Sequence, residues 1–324
     1  MSFQKEFGQL STILESAKSI LITIHPRPDA DALGSAFALR GYLEKAFPET
    51  KVTIYTLDQP GKQLAKLFDS YKILNSFKYE DFDSFIFLDR GSVFYELGFD
   101  KKLLTAKYSG RLVKIDHHNQ GGLIPKALNI VDSKTSATCE IIYDFFKQVS
   151  FNLDFRVAQF LLNGIFADTG GFRHSNTSPK TLEIASTLMR NGASITKVNR
   201  VLFTNKSLDT LKLWGIALER AKLNEKTGMA VSFITKDDLK KCNATIHDLG
   251  GISEMLNTIS GSKFSLVLSE RPNNKVKASL RSDEHKKIDV SEIARQFKGG
   301  GHKLSSGFEI EGKLKLIDGD WVIK

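Results

Sequence analysis

Cysteine is scarce in this chain of 324 residues. The two that occur, Cys139 and Cys242, lie far apart and do not have the spacing of metal ligands. This scarcity argues against a disulfide framework and favours a reducing compartment. It also means that no thiolate accompanies the candidate ligands described below.

Long apolar runs, basic blocks, internal repeats and low-complexity segments are missing as well. No stretch approaches the ~20 apolar residues that a membrane helix needs, and the first residues lack the pattern of a signal peptide. We therefore expect a cytoplasmic protein without membrane association. The formal net charge of +9 is spread along the chain, and such a mild excess suits a phosphate-rich ligand without requiring one.

The most informative stretch begins at His25, directly after a β-branched apolar run that predicts a buried strand. It places His25, Asp29 and Asp31 on one turn ahead of a predicted helix, and Pro26 and Pro28 stiffen that turn. Either aspartate could cap the helix. Capping requires only one carboxylate and no histidine, so the turn favours a metal-binding or catalytic role.

Short apolar runs alternate with helical patterns over residues 1–190. Predicted strands cover 20–24, 52–55, 84–88 and 111–115, and predicted helices cover 7–17, 35–47, 135–149, 154–167 and 179–190. This alternation predicts an α/β domain with a mostly parallel sheet and helices on both faces. Functional groups of such sheets lie at the carboxyl ends of the strands, where His25, Asp89 and the trio at 116–118 all fall.

A second, smaller domain is expected to follow. Asn191-Gly192 is typical of a helix end, so we interpret residues 191–212 as a linker with a bridging helix and residues 213–324 as a mixed α+β domain. Its predicted strands cover 229–234, 264–268, 275–280 and 307–310, with a helix near 290–297. We expect the active site in a cleft between this domain and residues 1–190.

The candidate ligands are histidines and aspartates that come together at predicted strand and helix ends. They are His25, Asp29, Asp31, Asp89, Asp116, His117, His118 and Asp168. Their oxygens and nitrogens suit Mn²⁺ or Mg²⁺, with zinc as an alternative. The set exceeds what one small cation with an open position can use, whereas two cations sharing a carboxylate would use it and would act on phosphoryl groups. Taken singly, Asp89 could close an Asx turn and Asp168 could be a loop or cap residue.

Four ordered motifs occur along the chain: HPRPDADALGS from His25, the lone Asp89, DHH at 116–118 and ADTGGFRHSNTS from Ala167. Together they resemble the motifs of the DHH phosphoesterase superfamily. The segment FKGGGH at 297–302 is similar to the signature of the family's DHH-associated C-terminal domain. The subfamily that the chain most resembles degrades very short RNA oligonucleotides and removes phosphate from 3′-phosphoadenosine 5′-phosphate.

The resemblance implies a ligand set for each of two divalent cations, with Asp89 as the shared bridge. One cation would be held by His25, Asp29 and Asp89, and the other by Asp31, Asp89, His117 and Asp168. Asp116 would orient ligands or handle protons, and His118 would contact the scissile phosphate or protonate the leaving oxygen. The sequence departs from the family where Asp89 is followed by Arg90-Gly91-Ser92, which leaves the role of Arg90 open. The roles of Arg173 and His174 are open as well.

Substrate contacts are expected in the second domain. Gly300, Gly301 and His302 could form an anion-binding turn or clamp, although a flexible loop is the alternative. Arg281 could pair with a terminal phosphate through its guanidinium group, although a solvated surface arginine is the alternative.

We expect a metal-dependent phosphodiesterase or phosphatase acting on short single-stranded RNA or small nucleotides, and we include a homodimer among the expectations. The enzyme alternatives are a phosphodiesterase for linear or cyclic dinucleotides and a pyrophosphatase or exopolyphosphatase with the same metal core. The alternative from another class is a nucleotide-sensing protein.

Overall fold

The computed structural model describes residues 3–68, 72–89, 93–118, 122–204, 206–317 and 320–324. The chain divides into two compact units, Met1–Asn205 and Lys206–Lys324, and the predicted linker at 191–212 spans this division. Among the described residues, no helix combines the length and the apolar composition required to cross a membrane.

The N-terminal unit is built on a parallel sheet, as the alternation of strands and helices predicts. Its described strands are β1 (Ser19–Thr23), β2 (Lys51–Tyr55), β3 (Ile73–Leu74), β4 (Ser84–Leu88), β5 (Leu112–Asp116) and β6 (Leu128–Val131). They pair in the order β3-β2-β1-β4-β5-β6, each parallel to its neighbours. Because β1, β4 and β5 are adjacent, their carboxyl ends lie side by side. The short strands β3 and β6 were not predicted.

Helices cover both faces of this sheet, which confirms the prediction. They are α1 (Gln4–Ser16), α2 (Ala30–Ala46), α3 (Lys62–Ala65), α4 (Val93–Glu96), α5 (Asp100–Leu103), α6 (Thr138–Gln148), α7 (Phe155–Asp168), α8 (Pro179–Arg190) and α9 (Ile195–Asn199). Alternate side chains of β1 serve the two faces. Ile20 and Ile22 pack with α1, α2, α6 and α7, whereas Leu21 packs with the aromatic side chains of Phe85 and Phe87 on the other face.

Helix α2 begins at Ala30, several residues before the predicted start near residue 35. Asp29 is its N-cap, and one carboxylate oxygen of Asp29 accepts the backbone N–H groups of Asp31 at 3.1 Å and Ala32 at 3.0 Å. The cap satisfies two of the donors that every helix start leaves open. Asp31 therefore lies in the first turn of α2 instead of on the preceding turn.

Helices α2 and α7 cross closely because both carry glycine at the crossing. A Cβ atom built on Gly164 would lie 2.4 Å from the sulfur of Cys139 and 2.7 Å from Oδ1 of Asp31. A Cβ atom on Gly34 would lie 2.5 Å from the carbonyl oxygen of Phe160. The absent side chains let Asp31 approach α6 and α7.

We expect Gly164→Ala to destabilise the N-terminal unit by about 1–3 kcal/mol because the added methyl group overpacks this crossing. Gly8→Ala is the matched control, since the position lies inside α1 and nothing lies within 4 Å of its Cβ. That control should be neutral or stabilising by up to about 1 kcal/mol. Thermal and urea unfolding of both variants measures the difference, and equal stabilities would contradict the close crossing.

The C-terminal unit contains a mixed sheet, as predicted. Its described strands are β7 (Lys222–Asn224), β8 (Met229–Ile234), β9 (Phe264–Arg271), β10 (Lys275–Arg281), β11 (Gly300–His302) and β12 (Ser305–Glu311), with a separate hairpin of β13 (Leu314–Ile317) and β14 (Asp320–Ile323). Their order is β11-β12-β10-β9-β8-β7, with β8 and β9 parallel and the other pairs antiparallel. The helices are α10 (Leu208–Glu219), α11 (Lys236–Lys241), α12 (Ile252–Asn257) and α13 (Val290–Gln296).

The glycine segment expected to be a turn is the strand β11, because Gly300 and Gly301 pair with Gly307 and Ser306 of β12.

Candidate metal centre

The candidate site lies at the carboxyl ends of β1, β4 and β5 in the N-terminal unit. His25 follows β1 by two residues, Asp89 follows β4 directly, and Asp116 is the last residue of β5. The start of α2 contributes Asp29 and Asp31. The parallel order of the three strands thus gathers residues from distant parts of the sequence at one edge of the sheet.

One group of possible ligands consists of His25, Asp29 and Asp89. The Nε2 atom of His25 lies 3.6 Å from Oδ2 of Asp29 and 3.7 Å from Oδ2 of Asp89. Asp89 has a positive φ of 60°, a conformation in which aspartate and asparagine are enriched over most other residues. This backbone turn occurs at the strand end where the carboxylate meets its neighbours.

A second group consists of Asp31, His117 and Asp168, with Asp89 beside it. The Nε2 atom of His117 lies 3.3 Å from Oδ2 of Asp168, 3.5 Å from Oδ1 of Asp89 and 3.9 Å from Oδ2 of Asp31. The two oxygens of Asp89 therefore face different histidines, Oδ2 towards His25 and Oδ1 towards His117. Asp89 therefore lies between the two groups, with one oxygen facing each.

The polar atoms of this site fit divalent cations. Within the described ranges, the buried atoms Oδ2 of Asp89 and Nε2 of His117 have no hydrogen-bond partner. Buried polar atoms without partners are costly, and both are of the type that binds Mn²⁺ and Mg²⁺ or zinc. A cation in each ligand group would satisfy both atoms, one at Oδ2 of Asp89 and the other at Nε2 of His117.

Electrostatics lead to the same conclusion. Burial, together with the charges of Asp31 and Asp29, raises the pKa of Asp89 well above its usual value. Burial and the charge of Asp31 likewise raise the pKa of Asp168 well above its usual value, and burial lowers the pKa of His117. The carboxylates therefore repel one another in the protein alone, and positive charge among them would relieve this repulsion.

The first residues of α6 donate hydrogen bonds to two of the candidate ligands. The backbone N–H groups of Thr138 and Cys139 donate to Oδ2 and Oδ1 of Asp31 at 2.6 and 2.9 Å. The hydroxyl of Thr138 donates to Oδ1 of Asp89 at 3.1 Å. These contacts orient two candidate ligands, but the partners lie so far apart in sequence that no local pattern indicated them.

Asp116 and His118 lie beside the two groups and contact each other. Oδ1 of Asp116 accepts the backbone N–H of His118 at 2.9 Å and lies 2.9 Å from its Nδ1 atom. Nδ1 also lies 3.5 Å from Oδ1 of Asp89, so His118 forms a third possible ligand group with Asp89 and His117. The shorter contact with Asp116 occupies Nδ1, which leaves the first two groups as the better cation sites.

The loop after Asp168 is held by its own polar groups. Nδ1 of His174 lies 3.1 Å from the carbonyl oxygen of Asp168, and the amide of Asn176 donates to the same oxygen at 3.3 Å. Nε of Arg173 donates to the carbonyl oxygen of Gly170 at 2.7 Å. Arg173 and His174 thus have contacts that shape this loop, while Arg90 lies outside the described residues.

Apart from His118, the predicted substrate residues lie in the C-terminal unit. Nε of Arg281 donates to Oε1 of Glu254 at 2.7 Å. Gly301 has a φ of 137°, and a Cβ atom on it would lie 2.5 Å from the carbonyl oxygen of Ser305, whereas a Cβ atom on Gly300 would meet nothing within 4 Å. Packing therefore accounts for glycine at 301 and not at 300. His302 is the last residue of β11, and its side chain lies outside the description.

Known proteins resemble the chain in both sequence and fold. Over 295 residues it is 29% identical to the bifunctional oligoribonuclease and PAP phosphatase NrnA of Bacillus subtilis, covering 90% of this chain and 89% of that protein. Over 299 residues it is 29% identical to the probable bifunctional oligoribonuclease and PAP phosphatase NrnA of Streptococcus mutans, covering 91% of this chain and 92% of that one. The crystal structure of an exopolyphosphatase-related protein from Bacteroides fragilis shares the fold, with a TM-score of 0.84 at 24% identity over 96% of this chain and 92% of that chain.

Two family descriptions match successive parts of the chain. The DHH family, N-terminal domain, matches residues 19–165, and the DHHA1 domain matches residues 226–318. The first match contains β1 to β6 and all of the candidate ligands except Asp168, and the second contains most of the mixed sheet. The chain therefore consists of a DHH family N-terminal domain followed by a DHHA1 domain.

Proposed function

We propose that this protein is a two-metal phosphoesterase that hydrolyses short RNA oligonucleotides and removes phosphate from 3′-phosphoadenosine 5′-phosphate. The observation that carries this proposal is the placement of Asp89 between two ligand groups, with one oxygen towards His25 and the other towards His117. Relatives named bifunctional oligoribonuclease and PAP phosphatase, similar over nine-tenths of the chain, support the choice of substrates.

His25, Asp29 and Asp89 would hold one cation, and Asp31, Asp89, His117 and Asp168 would hold the other. Mn²⁺ and Mg²⁺ both suit these oxygen and nitrogen donors. When bound, such a pair supplies a nucleophile at neutral pH and positive charge at the phosphoryl oxygens. The protein contributes fixed ligand positions, because Thr138 and Cys139 hold Asp31 and Asp89 in place before substrate arrives.

His118 is the proposed proton donor to the leaving oxygen. Asp116 accepts its backbone N–H and contacts Nδ1, which fixes the ring orientation. Nε2 is then the nitrogen that exchanges a proton with substrate. General acid catalysis of this kind contributes roughly 10²–10⁴-fold to a hydrolysis rate.

We assign substrate binding beyond the reacting phosphate to Arg281, Gly300, Gly301 and His302. Support for this assignment comes from the open space at Gly300, which would let a ligand approach the backbone closely. Arg281 would exchange its contact with Glu254 for a ligand phosphate, since a guanidinium group binds either anion through the same donors.

A substrate panel tests the proposal. Purified protein is assayed with Mn²⁺ and with Mg²⁺ against RNA and DNA dinucleotides, RNA 24-mers, 3′-phosphoadenosine 5′-phosphate, a cyclic dinucleotide, pyrophosphate and polyphosphate. We expect release of mononucleotides from RNA dinucleotides and of phosphate from 3′-phosphoadenosine 5′-phosphate, with slower turnover of the 24-mer. Turnover of pyrophosphate or polyphosphate alone would replace the proposal with the pyrophosphatase alternative, and nucleotide binding without turnover would favour a sensor.

A further inference from the structure

Lys114 is a buried lysine next to the candidate metal centre that the proposed function does not use. It lies within β5, its side chain is 1% exposed, and its neighbour in register on β4 is Phe87. The surrounding face of the sheet is mainly aromatic. An ammonium group in such a place has a large desolvation cost unless it is paired and hydrogen-bonded.

The contacts of Lys114 lead to His118. Nζ donates to the carbonyl oxygen of Gly122 at 2.7 Å and lies 3.3 Å from Oδ2 of Asp116. The other oxygen of Asp116 contacts Nδ1 of His118 at 2.9 Å. Three side chains thus run without a break from the buried ammonium to the imidazole ring.

Each contact limits what the next group can do. The ammonium of Lys114 lies 3.3 Å from Oδ2 of Asp116 and holds the carboxylate so that its other oxygen meets His118. Because a carboxylate oxygen accepts, Nδ1 of His118 is the donor in that contact. The bond to Gly122 also ties the residues just ahead of β6 to β5.

We propose that Lys114 is a positioning residue for hydrolysis, acting through Asp116 to hold the His118 ring so that Nδ1 donates to Asp116 and the Nε2–H group meets the leaving oxygen. The inference rests on the function proposed above. In the step concerned, a water oxygen bonds to phosphorus while the bond to the leaving oxygen breaks. His118 passes its Nε2 proton to that oxygen, and the proton lost by the water goes to solvent, which reprotonates His118.

The test compares Lys114→Met on two substrates with different leaving groups. An RNA dinucleotide releases an alcohol that needs a proton, whereas a nucleoside 5′-(p-nitrophenyl phosphate) releases a stable phenolate. We expect kcat to fall about 10²-fold for the dinucleotide and less than about threefold for the nitrophenyl ester, with KM unchanged for both. Equal losses on both substrates would overturn the proposal.

Lys286→Met is the matched control for removing a buried lysine. The side chain of Lys286 is 10% exposed, and its Nζ donates to Oδ1 of Asn257 at 2.9 Å in the C-terminal unit. We expect this variant to melt at a lower temperature and to treat the two substrates alike. A leaving-group effect in Lys286→Met as large as that in Lys114→Met would also overturn the proposal.

A second measurement does not depend on turnover. Histidine ¹⁵N spectra of the metal-free protein should show a hydrogen-bonded N–H at Nδ1 of His118, and Lys114→Met should weaken that hydrogen bond. An unchanged His118 pattern would overturn the inference about Lys114. Should Lys114→Met fail to fold, Asp116→Asn must show the same leaving-group effect. Wild-type protein inactive on every substrate would refute the proposed function, while the spectra would still decide the role of Lys114.

Discussion

Asp89→Asn is expected to lower turnover on the order of 10³-fold or more, because Asp89 is the carboxylate shared by both proposed cations. Loss of several kcal/mol of transition-state stabilisation corresponds to this factor. Asparagine tolerates the positive φ of 60° at this position, so the backbone should be preserved. Steady-state kinetics with an RNA dinucleotide and metal content per chain measure the effect.

The effect of Asp89→Asn on the melting temperature should differ in sign between the metal-free and the metal-bound protein. In EDTA we expect Asp89→Asn to melt at or above the temperature of the wild type, since burial and neighbouring carboxylates oppose the charge of Asp89. With Mn²⁺ the wild type should gain stability by binding, and the variant should gain much less.

Asp132→Asn is the matched control for Asp89→Asn. Asp132 follows β6 directly, and its Oδ1 accepts the backbone N–H of Lys134 at 3.0 Å. The side-chain oxygen of asparagine can accept the same N–H group. We expect wild-type turnover and metal content from this control. If Asp89→Asn matched Asp132→Asn in both, the shared-carboxylate reading of the site would be wrong.

Asp29→Asn and Asp31→Asn are expected to remove different cations. Each should reduce the metal content from two ions per chain towards one and should lower turnover by about 10²-fold or more, since each takes a charged ligand from one site. Elemental analysis of the dialysed proteins gives the metal content. Retention of both cations and of full turnover in either variant would contradict its assignment as a ligand.

The two variants should differ in stability because the two carboxylates are bonded differently. In Asp29 one oxygen accepts both backbone N–H groups of the helix cap, and asparagine can serve the same cap. In Asp31 each carboxylate oxygen accepts one backbone N–H. The side-chain NH₂ group of asparagine at this position would therefore face a backbone N–H, and neither could accept a hydrogen bond from the other. With metal present, we expect Asp31→Asn to cost roughly 1–3 kcal/mol more than Asp29→Asn.

Much of the N-terminal unit could be predicted because its elements have strong local patterns. Apolar runs marked β1, β4 and β5, and parallel strands place their carboxyl ends together whatever the details of packing. That rule alone was enough to expect His25, Asp89 and the trio at 116–118 at one edge. The short strands β3 and β6 escaped prediction because they form through pairing with neighbours and have little pattern of their own.

Long-range contacts could not be predicted. Nothing near Asp31 in sequence indicates that its carboxylate accepts backbone N–H groups from Thr138 and Cys139. The burial of Lys114 could not be predicted either, since a single lysine in a strand pattern is usually an exposed residue. Both roles arise only when the sheet brings distant segments together.

The wide separation of the candidate ligands has a consequence for synthesis of the chain. His25 and Asp168 are 143 residues apart (168 − 25). At typical rates of translation, a ribosome would need about 7–30 s to add that many residues. The group of His25, Asp29 and Asp89 is synthesised early in that interval, whereas the group of Asp31, His117 and Asp168 lacks its last member until the end. Uptake of the second proposed cation would therefore follow folding of the N-terminal unit. Metal loading would then report that this unit has been completed.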